Sequence, residues 1–142
     1  FIALELFKYK KNKRVISGNF SPPVTILKPI YGLDPDMLNC LRSFCQQDYP
    51  KFQVIFGLQN EKDPAIPFVK KVVEEFSNCE ISFIINTELH GTNHKVSNLI
   101  NMNPYIKYEY LLIADSDMRV SQNYLSQVFI LIIHFFLHRI SL

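Results

Sequence analysis

Residues 22–58, PPVTILKPIYGLDPDMLNCLRSFCQQDYPKFQVIFGL, decide the fold class. Val24 to Leu27 is a short apolar strand. Gly32 then leads to Asp34 and Pro35, the order of a helix N-cap followed by proline at the first helical position. The spacing predicts a helix to about Gln47, because Leu38, Leu41, Phe44 and Cys45 recur at the i, i+3, i+6, i+7 intervals of one buried stripe. Asp48, Tyr49 and Pro50 break that pattern. Phe52 to Leu58 is a second strand. Two strands joined through one helix need a crossover, so they pair in parallel with a right-handed connection.

The same plan continues toward the C-terminus. Asp63 and Pro64 repeat the helix-start device, and Ile66, Val69, Val72, Val73 and Phe76 form the next inward face. Ile81 to Ile85 is a third strand. A polar loop, Asn86 to Asn93, opens into a short helix through Lys95, Leu99 and Met102. Tyr110 to Ala114 is a fourth strand, apolar throughout as strands covered on both faces are. Strands alternating with helices predict an α/β domain built on a mostly parallel sheet. In such sheets ligands bind beyond the carboxyl ends of the strands, near the point where strand order switches. The polar residues just after the strands are therefore the candidates for chemistry.

Composition agrees with one globular domain. The 142 residues are 48% hydrophobic and 20% charged, which excludes a disordered chain, a collagen and a coiled coil. The net charge is +2, but Lys8, Lys10, Lys11, Lys13 and Arg14 cluster at one end and the remainder is slightly acidic. Nucleic acid, which needs a broad basic face, is not an expected partner. Cys40, Cys45 and Cys79 are odd in number and lack a Cys-x-x-Cys pair, so reduced thiols are expected, with Cys45 in the core. Phe1 to Phe7 is apolar and meets the basic cluster, the arrangement at the cytoplasmic end of a transmembrane helix. Residues 1–14 are accordingly expected to be the remnant of an N-terminal membrane anchor with its basic flank. At the other end Val128 to Leu137 is apolar except for His134, a run too short to span a bilayer. Residues 128–142 are expected to be an apolar tail, truncated or frameshifted. His134 and His138 stand four apart without the intervening carboxylate of the zincin pattern, so no metal is expected there.

The strongest chemical signal is Asp115, Ser116, Asp117, directly after the fourth strand. Two carboxylates at the ligand-binding edge are hard oxygen donors for Mg²⁺ or Mn²⁺, ions that bridge to a diphosphate. On spacing alone, a turn whose Asp caps the next helix is equally compatible. Asp63 also follows a strand and is open to both a capping and a binding role. Lys95 lies where a helix begins after Gly91, a place where a cation meets phosphate. Lys28, at the end of the first strand, is a second cation of that kind. No glycine-rich phosphate loop is present, which excludes a P-loop enzyme.

Four ordered segments carry a resemblance: residues 22–50, FGLQNEKDPAIP at 56–67, GTNHKVSNL at 91–99 and LLIADSDMRV at 111–120. Over Pro22 to Leu125 the chain resembles the ceramide glucosyltransferase family and its bacterial relatives, the hopanoid-biosynthesis glycosyltransferases, within the wider glycosyltransferase family 2-like group. The resemblance implies a GT-A fold, of which residues 22–127 would be the nucleotide-sugar-binding half. It further implies a UDP-sugar donor carrying glucose or N-acetylglucosamine, a lipid acceptor such as ceramide or a hopanoid, and a membrane-anchored enzyme whose catalytic domain faces the cytosol. Asp63 matches the family's first aspartate at the base end of the donor site, and Lys95 matches the lysine near the diphosphate. Asp115 and Asp117 match the motif that holds donor and metal, Mn²⁺ or Mg²⁺. Asp117 keeps the full Asp-x-Asp form, where some animal relatives look like Asp-Ser-Gly. The family's third aspartate, its general base, and its Gln-x-x-Arg-Trp motif have no counterpart, and the chain contains no Trp. No catalytic base is named, and the chain by itself is expected to transfer no sugar. Two other readings remain: a catalytically inactive nucleotide-binding remnant, and a haloacid-dehalogenase-type phosphatase, whose pattern Arg119 interrupts.

Overall fold

The computed structural model describes residues 21–140, with side chains through Ile132. The expected anchor remnant at residues 1–14 and the side chains of His134 and His138 lie outside the described residues. Four strands, β1 (Val24–Pro29), β2 (Phe52–Leu58), β3 (Ile81–Ile85) and β4 (Tyr110–Ile113), form one sheet in the order β3-β2-β1-β4. All three pairings are parallel, with Val24 opposite both Phe52 and Tyr110. Four helices intervene or follow: α1 (Met37–Cys45), α2 (Ile66–Glu75), α3 (His94–Met102) and α4 (Tyr124–Ile140), with a 3₁₀ turn at Asn103–Tyr105. The chain steps from β1 to β2 to β3 on one side and returns to place β4 on the other side of β1. The switch in strand order therefore falls between β1 and β4.

Alternation along the strands sorts the core into two layers. Val24 and Ile26 of β1, with Val54, Phe56 and Leu58 of β2, pack on Leu41 and Phe44 of α1, Val69 and Val72 of α2 and Leu125 and Phe129 of α4. Leu27 and Ile55 point the other way, onto Met102 and Leu99 of α3. Gly57 lies on that second face, where a Cβ would overlap Met102 Sδ and Asn98 Oδ1. Glycine there lets α3 sit close to β2, and Asn98 Nδ2 donates to the Gly57 carbonyl at 2.8 Å.

Several expectations are corrected. α1 begins two residues later than Asp34 and Pro35 suggest, its N-cap being Asp36 in a left-handed conformation (φ 57°) with no side-chain capping bond, and it ends at Cys45 rather than Gln47. Asp34 is drawn away from capping because its carboxylate receives the Ser116 hydroxyl. Ala65, not Asp63, is the N-cap of α2, with Pro67 inside the first turn. β4 is an edge strand with only Leu112 buried among its four residues, since β1 flanks it on one side alone. Its apolar character serves the faces above and below: Tyr110 packs edge-on to Phe129 at 5.8 Å, and Phe129 also stacks on Tyr49 at 5.6 Å. Cys40 and Cys45 are buried and Cys79 is exposed, all three as free thiols, and burial pushes the Cys45 thiol up to about 12.

Candidate functional site

The carboxyl ends of β1 and β4 meet at the switch point, and Ala114 N donates to the Leu27 carbonyl at 3.0 Å, carrying the pairing one residue past β4. The chain then turns: Met118 N donates to the Asp115 carbonyl at 3.3 Å, so Asp115 to Met118 form one tight turn with both carboxylates on it. Asp117 is exposed, and its carboxylate takes no hydrogen bond or ion pair among the described residues. The Asp115 carboxylate pairs with Lys95 Nζ, an ion pair with both side chains about half exposed. Exposed pairs of this sort contribute about 0–1 kcal/mol, so the pair opens at little cost.

Residues 28–40 hold this turn from behind. The Ser116 hydroxyl donates to Asp34 Oδ2. Cys40 Sγ donates to the Asp117 carbonyl at 3.3 Å, and Arg119 Nη1 reaches Asp36 Oδ2 at 3.3 Å. Lys28 was expected to face a donor, and the structure places it otherwise. It is fully buried, its Nζ lies 3.9 Å from the centroid of the Phe44 ring, and it donates to the Asp115 carbonyl at 2.6 Å. Burial pulls its ammonium down to about 8, against the opposing pull of Cys40, Asp115 and Asp117. The reason is alternation: Lys28 shares a face with Val24 and Ile26, which is the α1 side of the sheet.

Asp63 stands at the carboxyl side of β2, 5% exposed. Its Oδ2 accepts from Gly32 N at 3.0 Å and its Oδ1 from Ala65 N at 2.8 Å. Gly32 adopts φ +66°, a conformation that favours glycine. Asp63 thus ties the β1–α1 loop to the start of α2, and two residues further along that loop Asp34 meets Ser116. The loop brings Asp63, Lys28 and the Asp115–Asp117 turn into one framework, with Lys95 arriving from α3. The position of α3 depends on residues that the spacing did not flag. Asn93 caps it by accepting from Val96 N at 3.1 Å. Asn101 Nδ2 donates to the Asn86 and Glu88 carbonyls at 3.1 and 3.0 Å, while its Oδ1 lies 2.8 Å from His90 Nε2. Ser97, Asn98 and Asn101 are buried, and their i, i+1, i+4 spacing on one side of the short helix is the signal that marks them.

Among the described residues no group of three or more His, Cys, Asp and Glu gathers as a closed metal cage. The donor set on the turn is two neighbouring carboxylates. That set suits Mg²⁺ or Mn²⁺, which bind through one or two carboxylates and complete their shell with water and substrate phosphate.

Residues 2–134 match the family model described as glycosyl transferase family 21. The chain belongs to that family. Its relatives include the ceramide glucosyltransferase of Komagataella phaffii, 34% identical over 124 residues that cover 84% of this chain and 24% of that protein. Ceramide glucosyltransferase of Candida albicans is 32% identical, covering 72% of this chain and 21% of the relative. The family 21 chain thus spans about a quarter of the length of these curated relatives. Among solved structures it is similar to the mannosyltransferase PcManGT of Pyrobaculum calidifontis in complex with GDP-Man and Mn²⁺, with a TM-score of 0.60 at 24% identity over 70% of this chain and 29% of that one. It is also similar to S. aureus TarS 1-349 in complex with UDP-GlcNAc, with a TM-score of 0.54 at 18% identity, over 74% and 29%. These likenesses agree with the expected GT-A, Rossmann-like arrangement of parallel strands flanked by helices. The matching family model is that of a glycosyl transferase, not of a phosphatase. Among the described residues no helix is long and apolar enough to cross a membrane.

Proposed function

We propose that this chain is the donor-binding part of a glycosyltransferase that takes a hexose from a UDP-sugar, glucose or N-acetylglucosamine, to a membrane lipid acceptor such as ceramide or a hopanoid. One observation carries the reading: the exposed Asp115–Asp117 turn at the β1/β4 switch point, with Lys95 beside it, in a family 21 chain. Asp117 and Asp115 would hold Mn²⁺ or Mg²⁺, and the ion would supply charge neutralisation for the departing nucleoside diphosphate. Lys95, released from its weak pair with Asp115, adds a point charge for the diphosphate. Asp63 acts one step back, holding the Gly32 loop that borders the base end. The lipid acceptor and a membrane-associated, cytosol-facing location rest on the likeness to ceramide glucosyltransferases and on the basic flank at residues 8–14.

The test is UDP binding to the purified chain, measured calorimetrically with and without Mn²⁺. UDP is expected to bind about tenfold more tightly with the ion, in line with metal-bridged phosphate recognition, and Asp117→Ala is expected to abolish the difference. UDP affinity indifferent to Mn²⁺ overturns the metal-assisted reading. No UDP binding at all leaves a remnant without donor function.

A further inference from the structure

Lys28 is the only buried lysine among the described residues, and a buried ammonium is a costly choice for a strand position. Val24 and Ile26 occupy the same face of β1 with apolar side chains, and an unbranched apolar residue of similar length would fill position 28 without that cost. The ammonium reaches one acceptor, the Asp115 carbonyl at 2.6 Å. That carbonyl also receives Met118 N, the hydrogen bond that closes the turn bearing both carboxylates. The Phe44 ring lies against the ammonium, its centroid 3.9 Å from Nζ, and supports it as a cation–π contact. Asp117 is held from the same side, its carbonyl receiving Cys40 Sγ at 3.3 Å.

On the donor-site reading above, the geometry points to Lys28 as a positioning residue: from beneath the sheet edge it fixes the orientation of the Asp115 peptide, and thereby aims the Asp115 and Asp117 carboxylates at a divalent cation. It touches neither cation nor donor. Two influences of opposite sign separate this role from a merely electrostatic one. As a bare positive charge behind the site, Lys28 repels a cation, so its removal would tighten metal binding. As a strut, its removal loosens the turn and weakens metal binding. Stability moves in a third way, because replacing the buried charge by an apolar side chain of similar length removes a desolvation cost and leaves the fold as stable or more so.

The experiment uses the whole chain, wild type against Lys28→Met and Lys28→Arg. Mn²⁺ uptake is followed by loss of the free-ion electron paramagnetic resonance signal, and amide hydrogen exchange is read at Met118 and at Val69 in α2. Lys28→Met is expected to weaken Mn²⁺ binding about tenfold, the scale seen when a partner behind a metal ligand is removed. Met118 exchange is expected to accelerate while Val69 keeps its protection, and Lys28→Arg, which keeps a donor, is expected to restore much of the Mn²⁺ affinity. Unchanged or tighter Mn²⁺ binding in a folded Lys28→Met overturns the proposal. Should Lys28→Met fail to fold, the wild-type lysine ammonium is read directly by nitrogen-15 resonance. A Lys28 signal that shifts on adding Mg²⁺, and does not in Asp117→Asn, supports the role, and one that ignores Mg²⁺ overturns it. Mn²⁺ uptake without any UDP binding leaves the positioning role standing and overturns the donor reading. A wild-type chain that takes up no Mn²⁺ overturns both.

Discussion

The junction after β2 and the junction after β4 follow one plan, a strand, an aspartate and a helix, yet their aspartates live in different surroundings. Asp63 is 5% exposed, with one carboxylate oxygen on Gly32 N and the other on Ala65 N. Asp115 and Asp117 stand on an open turn, one paired only with Lys95 and the other exposed. A carboxylate consumed by main-chain amides holds loops together, while one left to solvent and a weakly held lysine is available to a cation. The same residue type on the carboxyl side of a strand therefore becomes enclosed framework or an open carboxylate according to what the neighbouring loop supplies.

The sharpest way to break that contrast is Asp63→Ala. Two amides lose their acceptor in a buried place, so stability is expected to fall by about 3 kcal/mol, checked by urea unfolding. Loss of less than about 1 kcal/mol would return Asp63 to the ligand group. Next in size is Gly57→Ala, expected to cost about 2 kcal/mol because α3 must back away from β2, carrying Lys95 with it. Asp117→Asn should move stability by no more than about 0.5 kcal/mol, as exposed substitutions do, while the Mn²⁺-linked gain in UDP affinity disappears. Lys95→Ala should likewise leave unfolding nearly unchanged and weaken UDP more than uridine, because only the diphosphate meets the ammonium. The smallest effect belongs to the far surface. Arg42, at 2.7 Å from Glu75, holds that carboxyl below its ordinary 4.5, so the pair's contribution is present above that value and is lost as the pH falls through the depressed range. Arg42→Ala should remove this part of the acid dependence and nothing at the carboxylate turn.

Periodicity alone carried the β3 boundaries, the α1 stripe of Leu41, Phe44 and Cys45, and the parallel class of the sheet, because these depend on local spacing and on the length of the crossovers. The Asp115–Ser116–Asp117 turn was visible for the same reason, being contiguous. What local spacing could not supply was partnership at long range. Asp34 reads as a cap until Ser116, 82 residues away, competes for its carboxylate. Lys28 reads as a cation for phosphate until β1 is set beside β4 and the Asp115 carbonyl closes over it. The order of strands, and with it the switch point where Lys28, Lys95 and the two carboxylates converge, is a property of packed layers. Sequence determined which residues could carry charge to the sheet edge, and tertiary structure decided which charges are enclosed as supports and which stay open to a ligand, because burial and hydrogen-bond competition exist only once distant segments are brought into contact.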